Sequence, residues 1–329
     1  MGQTRFGGSF GDDTEYGYDA SKIRELVLSN FEDLSEAIDA AVEVLKMLST
    51  DVIDSTPVTT SGFEHYSIVD VDADEERTVR PINTHIFIQS VEEFKEASKS
   101  FTELLELLRE SQGLNDEIRE EYEGFVEENR INETLYTIAQ GIGIGLDALA
   151  SSKNKARRNA GLRFESLNEC ILCKLNVANK KHRFVVPIED TDDYYSNTVD
   201  LMFGPHEQIQ STEENLDDEE VVASVKTTSK ERMAKEFAEM HLISETTGQY
   251  VPFIALFLND IQRKGDTGMN GTFLPNNYYT YANYLAPIEG TYFIDPPDKI
   301  DDDDYIEKLK LKTYREFLLE DLWELTDTN

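Results

Sequence analysis

The chain has 329 residues, of which 39% are hydrophobic and 10% aromatic, a composition typical of globular proteins and unlike that of fibrous or disordered chains. No run of about 18 uninterrupted apolar residues occurs, and the first residues lead into glycine and aspartate, so we expect neither a membrane span nor a secretory signal. The two cysteines, Cys170 and Cys173, are too few for a disulfide framework. A reducing, cytoplasmic location is therefore expected.

The chain carries 66 Asp and Glu but only 31 Lys and Arg, a net charge of −35 at pH 7. Such a charge repels nucleic acids when it is evenly spread. Residues 151–183 depart from the average because they hold nine Lys and Arg against Glu165 and Glu169 alone. The acidic excess elsewhere predicts a halophilic protein, since high salt screens repulsion between carboxylates.

The first half of the chain has mainly helical patterns. Residues 1–19 are rich in Gly, Asp and Ser without periodicity, which predicts a mobile N-terminus. Apolar residues then recur at three- and four-residue steps over 21–48, which predicts one long amphipathic helix. Further along, we expect short strands near 66–71 and 85–88 and helices over 91–108 and 115–138. Residues 20–150 are therefore predicted to form an acidic, mainly α-helical N-terminal domain.

Three glycines, Gly141, Gly143 and Gly145, follow one another at every second position. A dinucleotide-binding loop needs a third glycine at position 146, where this chain has Leu146, and a strand before the first glycine. The pattern therefore favours a close helix contact or a joint between domains.

Over residues 151–329 the sequence pattern changes from mainly helical to mixed α/β. Residues 157–176 are predicted to form a helix, and short apolar runs bounded by turn residues indicate strands. The strands are expected over 184–188, 199–203, 221–225 and 251–258, with helices over 229–243 and about 303–325. This order predicts an α/β fold with a central mixed β-sheet flanked by helices.

Ionisable residues mark one edge of this predicted sheet. Asp200 lies inside an apolar strand, where a charge is costly unless a cation or hydrogen bonds compensate it. Lys226 ends the next strand, and Glu236 and Glu239 lie on the following helix. Carboxylates from a strand and a helix, with an ammonium group between them, can hold a hard divalent cation and position an attacking water.

This arrangement resembles the PD-(D/E)xK nuclease superfamily of type II restriction endonucleases, in which an Asp is followed about two dozen residues later by Asp/Glu-x-Lys. Here the acidic position two residues before Lys226 is Ser224. That departure resembles the Cfr10I, NgoMIV and EcoRII-like branch, in which the displaced carboxylate comes from the next helix. Glu239 lies 13 residues past Lys226, as in that branch, and residues 226–232 read Lys-Thr-Thr-Ser-Lys-Glu-Arg.

The resemblance covers about residues 155–265 and implies a restriction endonuclease-like core, with residues 151–329 as the catalytic domain. It implies Mg²⁺-dependent cleavage of double-stranded DNA by a homodimer or higher oligomer. It assigns Asp200 and Glu239 to the metal, Lys226 to catalysis and Glu165 to a supporting role. Glu236, three residues before Glu239, is the rival metal ligand because both lie on one helix face.

A second set of residues is predicted to contact DNA. Lys230, Glu231 and Arg232 stand at the start of a helix, where Lys or Arg can pair with guanine and Glu can accept from cytosine. The resembling branch reads neighbouring C·G pairs with such a cluster, which implies a target of the CC/GG type. Lys155 and Arg158 are expected at phosphates. The alternative is that the cluster has no role in DNA recognition. Glu231 would then interact favourably with the helix dipole, and Lys230 and Arg232 would be solvated cations.

Other functions also fit these patterns. A nuclease of the same fold could act in DNA repair or junction resolution, and a relative of that fold could have lost its activity. A non-catalytic interaction protein built on the acidic helices is a further alternative. In that case Asp200 would cap a strand turn and Lys226 would form a surface ion pair.

Overall fold

The computed structural model describes residues 20–49, 54–57, 63–70, 75–149, 152–188, 190–229, 233–264, 268–297 and 307–327. The predicted mobile N-terminus, residues 1–19, lies outside these ranges. The elements of the N-terminal part are α1 (Ala20–Leu28), α2 (Leu34–Leu48), β1 (Asp54–Pro57), β2 (Phe63–Asp70), β3 (Glu75–Asn83), α3 (Val91–Ser111), α4 (Asp116–Glu121), α5 (Glu123–Val126) and α6 (Arg130–Leu149).

The C-terminal part continues the α/β pattern. Its elements are α7 (Lys153–Lys174), β4 (Ala178–Pro187), β5 (Tyr194–Gly204), β6 (Val221–Thr228), α8 (Met233–Thr247), β7 (Phe253–Asn259), β8 (Ile261–Lys264), β9 (Gly268–Gly271), α9 (Pro275–Tyr284), β10 (Gly290–Phe293), β11 (Leu311–Thr313) and a terminal helix, α10, over 314–325.

The long helix predicted over 21–48 is two helices, α1 and α2. A new helix begins after Asp33 because the Asp33 side chain accepts hydrogen bonds from the backbone N–H groups of Ser35 and Glu36 and so caps the N-terminus of α2. The helix predicted over 115–138 is also divided, into α4, α5 and α6, and α6 continues through the glycines.

The N-terminal part also contains a small antiparallel sheet with the strand order β1-β2-β3. The strand expected near 66–71 corresponds to β2. Residues 85–88 lie in a turn and an irregular segment rather than in a strand. This part is therefore helical with one added sheet.

Within the described residues, the central sheet has the strand order β11-β10-β7-β6-β5-β4. Strands β4, β5 and β6 pair antiparallel, whereas β6, β7, β10 and β11 pair parallel. All seven residues of β7 are buried, as expected for a strand covered on both faces. These findings confirm the predicted α/β fold with a central mixed sheet flanked by helices.

Two hydrophobic clusters cover the two faces of this sheet. Ala223 and Val225 of β6 belong to a cluster shared with α2, α6 and α7, whereas Val222 belongs to a cluster shared with α8 and α9. Since side chains alternate along a strand, Lys226 shares the α8 face with Val222. No helix in the described ranges is both long and apolar enough to cross a membrane.

The helix predicted over about 303–325 is not continuous: residues 303–306 lie outside the described ranges, residues 307–309 are helical, and a strand follows them. Residues 311–313 form edge strand β11 beside β10. Thr313 then forms a capping box with Glu316, in which each side chain accepts a hydrogen bond from the backbone of the other residue. This cap starts α10 at Tyr314, and a π-helical segment, Phe317–Asp321, follows.

The glycines of α6 allow close helix packing, as the sequence predicts. A Cβ at Gly141 would lie 3.4 Å from the Cβ of Ala41 on α2. A Cβ at Gly145 would lie 2.9 Å from Val44 and 3.0 Å from Val27. At position 145 there is therefore no room for a methyl group unless these valine side chains or the helices that carry them move.

We predict that Gly145→Ala lowers the free energy of unfolding by about 1–3 kcal/mol, because the added methyl group overpacks the contact with α1 and α2. Gly141→Ala is the matched control. Its Cβ meets Ala41 at an ordinary contact distance, and Ala is favoured over Gly in a helix by about 1 kcal/mol, so this change should be neutral or stabilising. Urea unfolding followed by circular dichroism measures both. Equal effects would contradict the packing account.

Candidate active site

Asp200 and Lys226 come together on neighbouring strands. The pairing of Leu201 with Ala223 sets the register of β5 and β6 and brings Asp200 beside the C-terminal end of β6. The Asp200 carboxylate accepts a hydrogen bond of 2.9 Å from the backbone N–H of Val225 and forms an ion pair with the Lys226 ammonium group. The charge inside the apolar strand is therefore compensated by a backbone donor and a cation.

Helix α8 adds both predicted carboxylates to this edge. Glu236 lies next to Lys226, with 3.3 Å between its Oε1 and the lysine Nζ. Glu239 is buried and accepts from Lys235 Nζ at 2.8 Å and from the Tyr195 hydroxyl at 3.0 Å. The residue in contact with Lys226 is thus Glu236, whereas Glu239 contacts a different lysine in the same cleft.

The pKa values reflect the crowding of charges at this edge. Burial raises the pKa of Glu236; Lys226 opposes this shift, and the nearby charges of Asp200 and Glu239 add to it. Burial disfavours the charged form of Lys226, but attraction to Asp200 and Glu236 outweighs burial and raises its pKa. The raised pKa of Glu236 therefore has two causes, its burial and the negative charges beside it.

Glu165 reaches the same cleft from α7. Its carboxylate forms an ion pair with Lys181 of β4 at 2.6 Å, and its side chain is 16% exposed. Asp200 lines the cleft as well. The predicted supporting acid therefore lies in the same cavity as the strand-edge residues, without a direct contact to them in the described structure.

The cleft has a volume of about 980 Å³. The face of α7 that lines it carries Asn154, Arg157, Arg158, Gly161, Leu162 and Glu165. Arg158, a predicted phosphate contact, lies in this wall, whereas Lys155 is exposed on α7 outside it. The cleft is therefore lined by both cations and carboxylates.

The predicted readout cluster, Lys230, Glu231 and Arg232, lies outside the described residues. The residues on either side of this segment are placed: Thr228 ends β6 and Met233 begins α8, and both line the cleft. The connection between β6 and α8 therefore starts and ends at the cleft.

Several cleft residues are absent from the sequence-based prediction. Arg80 and Asp147 form an ion pair of 2.9 Å in the cleft wall, although they lie far from the nuclease motif in sequence. Gln140 lines the same wall and is 2% exposed. Its Oε1 accepts no hydrogen bond from any described residue. Of the cleft contacts that the sequence-based prediction missed, only the Lys235–Glu239 ion pair could have been predicted. Its signal is the i,i+4 spacing of opposite charges on a helix.

The donor set at the strand edge suits a hard divalent cation, because Asp200, Glu236 and Glu239 offer only carboxylate oxygens. A different group lies on the connection between β5 and β6. Among the described residues, His206, Asp217 and Glu219 have ligand atoms that all lie within 4.8 Å of one another. His206 also lies within ion-pair distance of both carboxylates.

No protein-family model matches this chain, and no curated protein matches it significantly. The crystal structure of the type IIP restriction endonuclease Kpn2I matches with a TM-score of 0.66 and 16% identity, covering 93% of this chain and 96% of that chain. The chain has a restriction endonuclease fold. The likeness to Kpn2I extends over the N-terminal part as well as the core, which is more than the sequence motif covers.

Two further restriction endonuclease structures match less well. A PspGI–substrate DNA complex has a TM-score of 0.39 and 13% identity, covering 60% of this chain and 79% of that chain. Metal-depleted Ecl18kI in complex with uncleaved DNA has a TM-score of 0.30 and 16% identity, covering 70% and 75%.

We predict that Lys226→Met destabilises the protein in a pH-dependent way. Without the ammonium group, Asp200 and Glu236 repel each other in a half-buried site, so the pKa of Glu236 rises further above its ordinary value of 4.5. The folded protein then binds a proton that the unfolded chain releases at lower pH, so stability falls as the pH rises through the raised pKa. The loss should be about 1–3 kcal/mol at pH 8 and smaller at pH 5.

Urea unfolding at the two pH values measures this effect. Lys99→Met is the control, because Lys99 and Glu103 form an i,i+4 pair on α3 whose side chains are 78% and 47% exposed, and such an exposed pair contributes only about 0.3–0.5 kcal/mol. A pH-independent loss in Lys226→Met, or a similar profile in both variants, would contradict the electrostatic account.

Proposed function

We propose that this protein is a Mg²⁺-dependent type II restriction endonuclease that makes site-specific double-strand breaks in DNA. The observation that carries the proposal is the Asp200–Lys226 ion pair at the strand edge of a restriction endonuclease fold, with two glutamates of α8 beside it. The cleft around this pair also contains Arg157 and Arg158, whose charges suit a DNA backbone.

Asp200 and Glu239 would hold the metal, with Glu165 supporting the site. When bound, Mg²⁺ would neutralise charge on the phosphate and lower the pKa of a bound water. The assignment of Glu239 rests on its spacing from Lys226, and both of its contacts, with Lys235 and Tyr195, fall on Oε1. Glu236 is the alternative ligand. Lys226 forms ion pairs with both Asp200 and Glu236, so these two carboxylates lie on either side of the same ammonium group.

Lys226 would orient the attacking water and stabilise the negative charge that develops on the phosphoryl oxygens. Its pKa is raised, so it stays an ammonium ion at neutral pH and acts as a hydrogen-bond donor. Asp200 and Glu236 hold the ammonium group from two sides. Such fixed placement of a charge before the reaction lowers the cost of stabilising the transition state.

The substrate would be double-stranded DNA, bound by two copies of the chain. Cutting both strands of a symmetric site needs two active sites, which a homodimer with twofold symmetry supplies. Incubation of the protein with plasmid DNA and Mg²⁺ tests the function. Discrete, reproducible fragments support restriction, nicking or smearing supports a repair or junction nuclease, and intact DNA supports a non-catalytic interaction protein.

We predict that Asp200→Asn and Lys226→Ala abolish plasmid cleavage, with losses of about a thousandfold or more in rate. Glu239→Gln should be equally severe, and Glu236→Gln mild, if Glu239 holds the metal. Both variants replace a glutamate of α8 by glutamine, so a comparison of their cleavage rates identifies which glutamate binds the metal. The reverse order would transfer that role to Glu236, and cleavage at the wild-type rate by the Asp200 variant would contradict the site assignment.

We also predict a recognition site that contains neighbouring C·G pairs of the CC/GG type, read by Lys230, Glu231 and Arg232. Arg232→Ala should reduce cleavage of that site about tenfold to hundredfold, because one good base contact contributes about 1–3 kcal/mol of discrimination. Lys155→Ala and Arg158→Ala should instead weaken binding to cognate and non-cognate DNA alike. Sequencing the ends of digested genomic DNA identifies the site, and a site made only of A·T pairs would overturn this readout.

A further inference from the structure

Gly161 lies in the middle of α7, a 22-residue helix, and faces the cleft. A Cβ built at this position meets nothing within 4 Å, and the backbone is not in the left-handed region. Glycine inside a helix lowers helix stability relative to alanine. Neither packing nor backbone conformation therefore accounts for a glycine here.

The glycines of α6 differ from Gly161 in what lies next to them. Gly141 and Gly145 face α2, and an added methyl group would touch or overlap the neighbouring helix. Gly161 faces open space instead, as Gly124 of α5 does, but only Gly161 lines the cleft.

The surroundings of Gly161 indicate what fills that space. Arg158 and Glu165 lie three residues before and four residues after it, on the same face of α7, and both line the cleft. The adjacent Leu162 is 37% exposed although it lines the cleft. Asp200 and Lys226 line this cavity too. A cation, a bare stretch of helix backbone and an apolar side chain together suit the phosphate and the sugar of a nucleic acid strand.

We propose that the sugar-phosphate backbone of double-stranded DNA contacts the main chain of α7 at Gly161. The missing side chain lets the strand come close enough for its phosphate to reach the edge formed by Asp200 and Lys226. This inference rests on the proposed function and adds Gly161 to it as a positioning residue. A methyl group at 161 would hold the DNA farther from that edge.

Gly161→Ala tests the proposal, with Gly124→Ala as the matched control. Gly124 lies in helix α5, and its Cβ would also meet nothing within 4 Å, but it does not line the cleft. Both variants should melt at the wild-type temperature or about 1–3 °C above it, because alanine favours the helix in each. Only Gly161→Ala should lose activity, by about tenfold to hundredfold in plasmid cleavage rate.

Binding of a fluorescent 30-base-pair duplex in EDTA, measured by anisotropy, separates positioning from a structural defect. Gly161→Ala should bind at least about tenfold more weakly, and Gly124→Ala should bind like the wild type. Wild-type affinity and cleavage in Gly161→Ala would overturn this inference while leaving the proposed function intact. A lowered melting temperature in that variant would overturn it too, because it would mean that position 161 is packed. A wild-type protein that neither binds nor cuts DNA would overturn both proposals.

Discussion

The ion pair between Asp200 and Lys226 lies where the antiparallel and the parallel halves of the mixed sheet meet. Strand β6 pairs antiparallel with β5 on one side and parallel with β7 on the other. Asp200 belongs to the antiparallel half, and Lys226 lies at the end of the strand that both halves share. A carboxylate inside an apolar strand is tolerated only because the ammonium group and the Val225 N–H compensate it. The position of the cleft and its charges depends on this pairing.

Helix α8 supplies the remaining carboxylates, and its hydrophobic side fixes their orientation. Phe237 and Met240 are buried in the cluster against β6 and β7, which turns Glu236 towards Lys226. Ser224 lies on the same face of β6, and its buried hydroxyl has no hydrogen-bond partner among the described residues. The carboxylates that contact Lys226 on this face therefore come from β5 and from α8.

The sequence was sufficient for the α/β class of the core because the signals of its central strands were local, but it did not predict strands β10 and β11. Apolar runs marked β5, β6 and β7, and isolated charges at Asp200 and Lys226 marked the edge where they meet. Features set by single side-chain contacts were missed, such as the cap by Asp33 that divides the first helix and the capping box at Thr313 that starts α10 after β11.

The side-chain contacts in the cleft could not be predicted from the sequence as completely as the central strands. Helical spacing puts Glu236 and Glu239 on one face, but the packing of α8 decides which of them contacts Lys226 and which contacts Lys235. Arg80 reaches the cleft from the N-terminal sheet through its ion pair with Asp147. That contact depends on how the N-terminal part packs on the core, and no local pattern encodes it.

The most direct test of this account is the location of the metal. A crystal of the protein with uncleaved duplex DNA, soaked in Mn²⁺, reveals bound metal by its anomalous scattering. We predict a peak at about 2.1 Å from oxygens of Asp200 and Glu239, with Lys226 beside the scissile phosphate. A peak only at His206, Asp217 and Glu219, with none at Asp200, would contradict it.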